Sequence, residues 1–380
     1  MRKYFSVLIV IALVMVLVLS SCSQSTPSST SASTSSKPAA SSSTQAPVQQ
    51  IELRFSDHDP PTGNLPVAFF EPWARAVEKA SNGKLKITSY YGETLNKGTE
   101  AIAAVTGGIT DITWVVHGFY PGKYPLSDVM TLPFIAAPAG IYQGRQLSSA
   151  AINSLIYQEL YATLPEVQAE YQGTKLLFNH VSMPYFLCTI KKPAQTMEDL
   201  KGMKIRELGG PPTEMWKLLG ANPMLLNSAD LYDSASKGVI DGADLQWSLI
   251  KTFRLYELFK YYTDLGTVMS SYSIVMNQKT WDKLTPDLQQ AIMSVSGNLG
   301  AENMGNNAYG DSLQKDVEAI MQKGNFNMQK ISLTPAESQR WVKAAGQPLW
   351  DSWVKEMNAK GLPGQKVLDA TIALVKKYSQ

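Results

Sequence analysis

The chain alternates between two patterns of apolar residues. Strict alternation of apolar and polar positions predicts strands, and apolar positions that recur every three or four residues predict helices. The first elements predicted in this way are strand 51–56, helix 69–80, strand 84–90, helix 99–105 and strand 111–116. Because strands and helices alternate, the pattern predicts an α/β fold with parallel strands joined by crossover helices.

The same patterns continue toward the C-terminus. They predict strands at 174–181, 185–190, 203–206, 224–226 and 272–276, and helices at 212–219 and 229–237. Thr285-Pro286-Asp287 predicts the start of a long helix, since threonine caps a helix and proline suits its first turn. Thr334-Pro335-Ala336-Glu337 forms a capping box, and the chain beyond it is predicted to be mainly helical.

The N-terminus predicts export. Arg2 and Lys3 precede an apolar run over 5–19 that is too short to favour a spanning helix, which is typical of a signal peptide over 1–21. The following Cys22, preceded by Leu19-Ser20-Ser21, resembles a bacterial lipobox, and this resemblance implies lipid attachment at Cys22. The alternative is an ordinary signal peptide or an uncleaved anchor that carries a cysteine. Residues 22–50 are mostly Ser, Thr, Pro and Ala, so they are predicted to form a disordered tether.

The composition narrows the class of protein. Roughly 330 residues follow the tether, enough for two lobes of ordinary domain size. The net charge of +2 disappears with Arg2 and Lys3, so no basic footprint for nucleic acid remains. Cys188 has no second thiol to pair with once Cys22 is lipidated, and it lies in an apolar run that predicts an inert buried side chain. Because of the predicted signal peptide and the lipobox-like Cys22, the protein is expected outside the cytoplasm, on a lipid anchor at the cell membrane.

An ordered set of motifs identifies a family. The motifs are Asp-Leu-Lys-Gly-Met-Lys-Ile-Arg at 199–206, Leu-Gly-Ala-Asn-Pro at 219–223, Leu231-Tyr232, and Gly-Val-Ile-Asp-Gly at 238–242. Together with weaker matches upstream, they resemble the DctP-type solute-binding proteins of TRAP transporters over roughly residues 51–350. The resemblance implies a two-lobed, periplasmic-binding-protein-like (Venus flytrap) α/β fold, with a long helix spanning both lobes and a ligand in the cleft between them.

The resemblance also implies a division of the chain and a set of partners. Lobe I is expected to hold 51–182 and about 272–310, and lobe II is expected to hold 183–271 and about 311–380. The expected partners are a small organic acid and the membrane subunits of a TRAP permease. A monomer is expected rather than a dimer, and neither catalysis nor a cofactor is expected.

Arg206 is the leading candidate for the ligand contact. In the family, the arginine that ends the 199–206 motif makes a paired contact to the ligand carboxylate. A planar guanidinium offers two parallel N–H donors to two carboxylate oxygens, which a lysine cannot do. The alternative is a surface ion pair beside Glu207.

Two departures from the family pattern suggest the class of acid. Phe186 lies near the position where sialic-acid-binding members carry a second arginine. After Asp241-Gly242 those members continue with Gln-Glu-Asn-Pro, whereas this chain continues with Ala-Asp-Leu-Gln-Trp, which ends in Gln246-Trp247. These changes favour a pocket for one carboxylate with an apolar or aromatic body. Pockets lined by rings also hold sugars and small hydroxy acids, so that alternative stays open.

Other candidates follow from their position in the chain. Ligands of open α/β sheets bind at the carboxyl ends of strands. His58, Glu93, Trp114 and Asn179 lie at or after the ends of four predicted strands. Trp114 is also a natural core residue.

Rival functions have weaker support in the sequence. His58, His117 and His180 lack the spacing of a metal site, so no metal is predicted, although a calcium-bridged carboxylate stays open. No nucleophile or phosphate-binding motif supports an exported enzyme, and Asp57 with Asp59 could in principle do acid–base work. A lipoprotein receptor that signals to a membrane sensor is the remaining alternative.

Overall fold

Two β-sheets organise the chain. The computed structural model describes residues 50–379, so the predicted signal peptide, Cys22 and the tether up to residue 49 lie outside the described residues. The first sheet has the order β2 (Leu85–Tyr90), β1 (Ile51–Ser56), β3 (Ile112–Val116), β12 (Ser271–Asn277) and β6 (Thr174–Val181). The second has the order β13 (Gln329–Ile331), β11 (Tyr261–Thr263), β7 (Phe186–Thr189), β10 (Gly242–Leu245), β8 (Lys204–Glu207) and β9 (Asn222–Leu225). A separate hairpin pairs β4 (Gly140–Tyr142) with β5 (Arg145–Leu147).

Both sheets are mixed. β1 pairs in parallel with β2 and β3, as the sequence predicts, but β12 runs antiparallel to β3 and β6. In the second sheet β10 is parallel to β8 and antiparallel to β7. Each antiparallel pair of the two sheets includes β7 or β12, the strands that follow a passage of the chain from one sheet to the other.

Helices cover the faces of both sheets. In chain order they are α1 (Glu71–Ala80), α2 (Ala101–Gly107), α3 (Ser149–Thr163), α4 (Pro165–Gln168), α5 (Pro211–Leu218), α6 (Leu231–Ser236), α7 (Trp247–Thr252), α8 (Gln278–Lys283), α9 (Pro286–Ser294), α10 (Gly297–Asn303), α11 (Ser312–Lys323), α12 (Pro335–Ala345), α13 (Gln347–Ala359) and α14 (Gly364–Tyr378). Two π-helical turns, Pro66–Phe70 and Met304–Ala308, precede α1 and follow α10. Within this described part, no helix combines the length and apolar character that crossing a membrane requires.

The segments that cross between the sheets are bonded to each other. Tyr185 N–H donates to the carbonyl of Val268 at 2.7 Å, and Ser182 N–H donates to that of Ser270 at 3.0 Å. A third connection is the helical run from α10 to α11. The first part of this run packs on α3 and β6, and the second part packs on α7. We refer below to the body around the first sheet as lobe I and to the body around the second as lobe II.

The long helix expected from Thr285 is interrupted. α9 ends at Ser294, and the run that joins the lobes is divided at 309–311 by a bend after the π-helical turn. The last helix, α14, packs against α3 in lobe I. The chain division given above, which assigns 311–380 to lobe II, stays a prediction.

Candidate ligand-binding site

Arg206 is buried between the lobes. It lies on β8 and is 0% exposed. Its Nε donates to the carbonyl of Leu226 at 3.1 Å, and its Nη2 donates to the Ser228 hydroxyl at 2.9 Å. Its Nη1 is buried with no hydrogen-bond partner among residues 50–379. Because both of its partners are neutral and a buried unpaired charge is costly, the guanidinium favours an anion beside it.

A stack of rings lies on one face of the lobe I sheet. Trp114 on β3, Tyr272 on β12 and His180 on β6 point to the same side of adjacent strands. The Trp114 ring centroid is 4.9 Å from that of Tyr272 and 4.9 Å from that of His58. Trp114 Nε1 donates to His180 Nε2 at 2.9 Å. Burial lowers the pKa of His58 to about 4 and that of His180 to about 3, so both rings are neutral at pH 7.

Two tyrosines connect the ring stack with Arg206. The hydroxyls of Tyr185 and Tyr272 are 3.1 Å apart, and both residues flank the crossing segments. Burial lowers the pKa of Arg206, whereas Tyr185, Glu207, Tyr272 and Asp244 act to raise it through their charges. The arginine of lobe II therefore lies within electrostatic reach of both phenols.

Glu93 joins the two lobes. It adopts a left-handed backbone conformation, with φ of 61°, in the turn after β2. Its Oε1 accepts from Gly98 N–H at 2.9 Å and from Asn227 Nδ2 of lobe II at 3.1 Å. The bare Cα of Gly98 in turn lies against His58, where a Cβ would come within 3.1 Å of Nδ1. The carboxylate of Glu93 thus holds a contact between lobes beside the ring stack.

A second interlobe contact consists of backbone alone. A Cβ at Gly118 of lobe I would lie 2.1 Å from the carbonyl oxygen of Leu208 in lobe II. A Cβ at Gly209, where φ is 91°, would lie 2.6 Å from the carbonyl oxygen of Gly118. Only glycine allows the lobes to approach this closely.

Buried carboxyl groups lie on the lobe I side of the site. Asp57 and Asp59 follow β1 and are 4% and 1% exposed. Burial raises the pKa of Asp59 to about 7 and raises that of Asp57 well above its usual range. Asp57 Oδ2 and both carboxyl oxygens of Asp59 have no partner within the described part of the chain, and neither has the hydroxyl of Tyr309.

Phe186 and Trp247 belong to a different aromatic cluster. Their ring centroids are 4.9 Å apart, and both rings contact Tyr262. These three side chains line a cavity of about 190 Å³ that opens beside Pro184. Gln246 caps α7 through a bond to the backbone of Ser248. The structure therefore brings together Arg206, Trp114, His58 and Glu93, whereas Phe186, Trp247 and Gln246 make other contacts.

Asn179 points away from the ring stack. It pairs in register with Ser273, whose hydroxyl contacts His117 Nε2 at 3.0 Å on the opposite face of the sheet. Both polar atoms of the Asn179 amide are buried without a partner among residues 50–379. Its neighbour His180 lies in the stack instead.

Three tyrosines of the candidate site carry no clear signal in the sequence. Tyr185 and Tyr272 read as ordinary strand residues, and Tyr309 falls inside a helical run. The available signal for Tyr309 is the pair of glycines at 305 and 310, which indicates an irregular helix near it.

The family of this chain is shown by its similarity to known proteins. A family model described as bacterial extracellular solute-binding protein, family 7 (DctP), matches residues 57–356. The chain belongs to this family. The TRAP-type resemblance inferred from the 199–206 motif is confirmed.

Two relatives are similar to this chain, one over most of its length and the other over less than half of it. The outer membrane transporter protein TsaT of Comamonas testosteroni is 27% identical over 79% of this chain and 84% of its own length. The C4-dicarboxylate-binding periplasmic protein DctP of Vibrio cholerae is 27% identical over 44% of this chain and 49% of its own.

Solved structures show the same fold. A TRAP solute-binding protein from Rhodoferax ferrireducens, in complex with copurified benzoate, has a TM-score of 0.79 and 25% identity over 87% of this chain and 99% of its own. A marine metagenome TRAP solute-binding protein specific for aromatic acids, in complex with 3-hydroxybenzoate, has a TM-score of 0.78 and 26% identity over 87% of this chain and 100% of its own. The two-lobed α/β fold is confirmed, and the family and these structures are solute-binding proteins rather than enzymes.

Proposed function

We propose that this family 7 protein captures a small aromatic monocarboxylate between its lobes and delivers it to a TRAP permease. Arg206 carries the proposal, because its Nη1 is a buried donor without a partner in the described chain and the guanidinium is hydrogen-bonded only to the neutral Leu226 carbonyl and Ser228 hydroxyl. A carboxylate satisfies this donor and neutralises the charge at once. The solved relatives that bind benzoate and 3-hydroxybenzoate support an aromatic body for the acid.

The ring stack supplies the apolar surface for that body. We infer that the ligand ring lies near Trp114, Tyr272 and Tyr185, which are 4%, 3% and 2% exposed, because the two tyrosines lie within electrostatic reach of Arg206 and Trp114 stacks on Tyr272. Offset stacking of aromatic rings adds roughly 0.5–1.5 kcal/mol beyond the burial of area. This location differs from the sequence-based hypothesis, in which Phe186 and Trp247 contact the ligand body.

Ligand binding would favour the closed arrangement of the lobes. Arg206 belongs to lobe II and the ring stack to lobe I, so a ligand touches both only when the lobes are together. A ligand shifts such an equilibrium by its difference in affinity for the two arrangements. The contact between Glu93 and Asn227 would form in the same step.

The first prediction concerns Arg206. Arg206→Ala should weaken benzoate binding by about 2–5 kcal/mol, as truncation of a buried charge pair does. Arg206→Lys keeps the charge but loses the planar fork, so we expect a loss of at least about tenfold, or about 1.4 kcal/mol. Isothermal titration calorimetry of the purified protein measures both.

The matched control for this prediction is Arg75→Lys. Arg75 lies on the surface of α1, where its side chain is 52% exposed. This variant should bind benzoate like the unmodified protein. Equal affinity of the Arg206→Lys variant and the Arg75→Lys control would refute the carboxylate contact, and no response to any aromatic acid would refute the proposed function.

We also propose that Cys22 carries a lipid that holds the protein at the membrane surface. The lipobox-like Leu19-Ser20-Ser21 and the Ser-rich segment after Cys22 support this proposal. Protein extracted from membranes should be heavier than the polypeptide from Cys22 onward by its acyl groups, and Cys22→Ala should abolish the difference in mass spectrometry. An unmodified Cys22 in the membrane fraction would contradict it.

A further inference from the structure

A single carboxylate beside Arg206 leaves other polar groups of the site unsatisfied. Asp57 Oδ2, both carboxyl oxygens of Asp59 and the hydroxyl of Tyr309 are buried without a partner within residues 50–379. Asp59 and Tyr309 are each 1% exposed. Buried polar groups in proteins are almost always hydrogen-bonded, so four such atoms in one place point to a group that comes from outside.

The two aspartates lie together beside His58, and Tyr309 lies on the same side of the site. The backbone N–H of Asp59 donates to Asp57 Oδ1 at 3.2 Å, and one oxygen of each aspartate lies 3.8 Å from a ring nitrogen of His58. Burial raises the pKa of Tyr309, and the charges of Tyr185, Asp59 and Asp57 add to that rise. The Tyr309 phenol therefore lies within electrostatic reach of both aspartates, and its ring centroid is 6.2 Å from that of His180.

The polar atoms of this cluster suit a hydrogen-bonding group of the ligand. Among residues 50–379, no group of three or more His, Cys, Asp and Glu side chains has the geometry to hold one. A carboxyl group and a phenol suit a hydrogen-bond donor, because a carboxyl oxygen accepts and a phenol both accepts and donates. An unsubstituted phenyl ring would leave these atoms without partners.

We propose that the ligand carries, besides its carboxylate, a hydroxyl or ammonium group that Asp57, Asp59 and Tyr309 bind on the lobe I side of the site. This inference rests on the proposed function, since Arg206 must hold the carboxylate for the second group to reach the aspartates. It narrows the substrate class from aromatic acids to aromatic acids with a protic substituent. Asp59 and Tyr309 thereby act in specificity.

The first measurement compares the affinities of the unmodified protein for different ligands, and the second compares variants. The affinity of the purified protein is measured for benzoate, for the three hydroxybenzoates, and for 3- and 4-(aminomethyl)benzoate. We expect at least one substituted acid to bind about tenfold more tightly than benzoate, which equals about 1.4 kcal/mol. Benzoate binding that equals or exceeds that of every substituted acid overturns the inference but leaves the proposed function intact. No binding of any of these acids overturns the proposed function itself.

Two variants of Asp59 then distinguish hydroxyl from ammonium. Asp59→Leu removes every polar atom, so it should abolish the preference for the substituted acid whichever group is recognised. Asp59→Asn keeps a polar group without charge, so a preference for hydroxyl should survive it and a preference for ammonium should not. The circular dichroism spectrum and the thermal midpoint of each variant show whether it folds, and the quantity compared is the ratio of its affinities for the substituted acid and for benzoate.

A surface substitution serves as control. Asp233→Asn changes a carboxylate whose side chain is 72% exposed, and it should leave every affinity unchanged. A preference for the substituted acid that survives Asp59→Leu would show that the aspartate does not contact the ligand. That outcome would also overturn the inference.

Discussion

Individual residues of this site illustrate how a binding protein gives up stability for affinity. Arg206, Asp59 and Tyr309 each carry a polar atom that is buried without a partner in the described chain. Such an atom costs about 1–3 kcal/mol, and more where the group is charged. A ligand that satisfies these atoms recovers this free energy on binding, so the site is expected to discriminate strongly between acids with the same size and different polar groups.

For individual residues, the sequence predicts which chemical groups are present better than it predicts where their side chains point. Arg206 can be singled out in the sequence, because it ends a motif of eight residues and a guanidinium offers paired donors, and its contact with the ligand stays a prediction. Phe186 and Trp247 are buried rings, but residue type does not say toward which cavity a ring points. Tyr309 is not predictable, because its position depends on the bend at 309–311 in the helical run.

Elements with strong local signals match their predictions. β1, β2, β3 and β6 occur within one or two residues of the predicted strands. α3 was not predicted, because apolar residues occur on all sides of this buried helix and no polar face sets its period. β10 was missed because it has only four residues, including the buried Asp244. The secondary structure of both α3 and β10 depends on tertiary contacts, which the local sequence does not show.

The two predicted helix caps, Thr285 and Thr334, make different contacts in the structure. Thr334 accepts from Glu337 N–H at 3.2 Å, as the capping box predicts. The Thr285 side chain makes no cap bond to the backbone of α9 and contacts the Asp287 side chain instead.

Thr334→Ala should therefore lower the free energy of unfolding by about 1 kcal/mol, the usual value of a helix N-cap. Thr285→Ala, the matched control at the other cap, should lower it by less. Urea unfolding of the purified variants measures both changes. An equal loss in the two variants would contradict the difference in capping seen here.

For the whole molecule, the approach of the lobes depends on a glycine. Gly118 brings lobe I against the carbonyl of Leu208, where no side chain fits. Gly118→Ala should weaken benzoate binding by at least about tenfold, because the closed arrangement that holds the ligand would contain the clash. Titration calorimetry measures the affinity.

The control for this variant is Gly107→Ala. A Cβ at Gly107 meets no other atom within 4 Å, so this variant should bind benzoate normally. The thermal midpoint of the ligand-free Gly118→Ala protein should stay close to that of the unmodified protein, because an open arrangement lacks the contact. Unchanged affinity in Gly118→Ala would show that binding does not require the lobes to meet at this point.

Complete burial of Arg206 has a consequence for kinetics. In the proposed binding mode, an acid paired with this enclosed guanidinium enters or leaves when the lobes separate, and that movement also breaks the bond between Glu93 and Asn227. The acid then stays bound for at least the time between two separations of the lobes, even where its own contacts are weak. A permease that pulls the two lobes apart would therefore discharge the cargo without touching it, and the same movement would serve every acid that the site accepts.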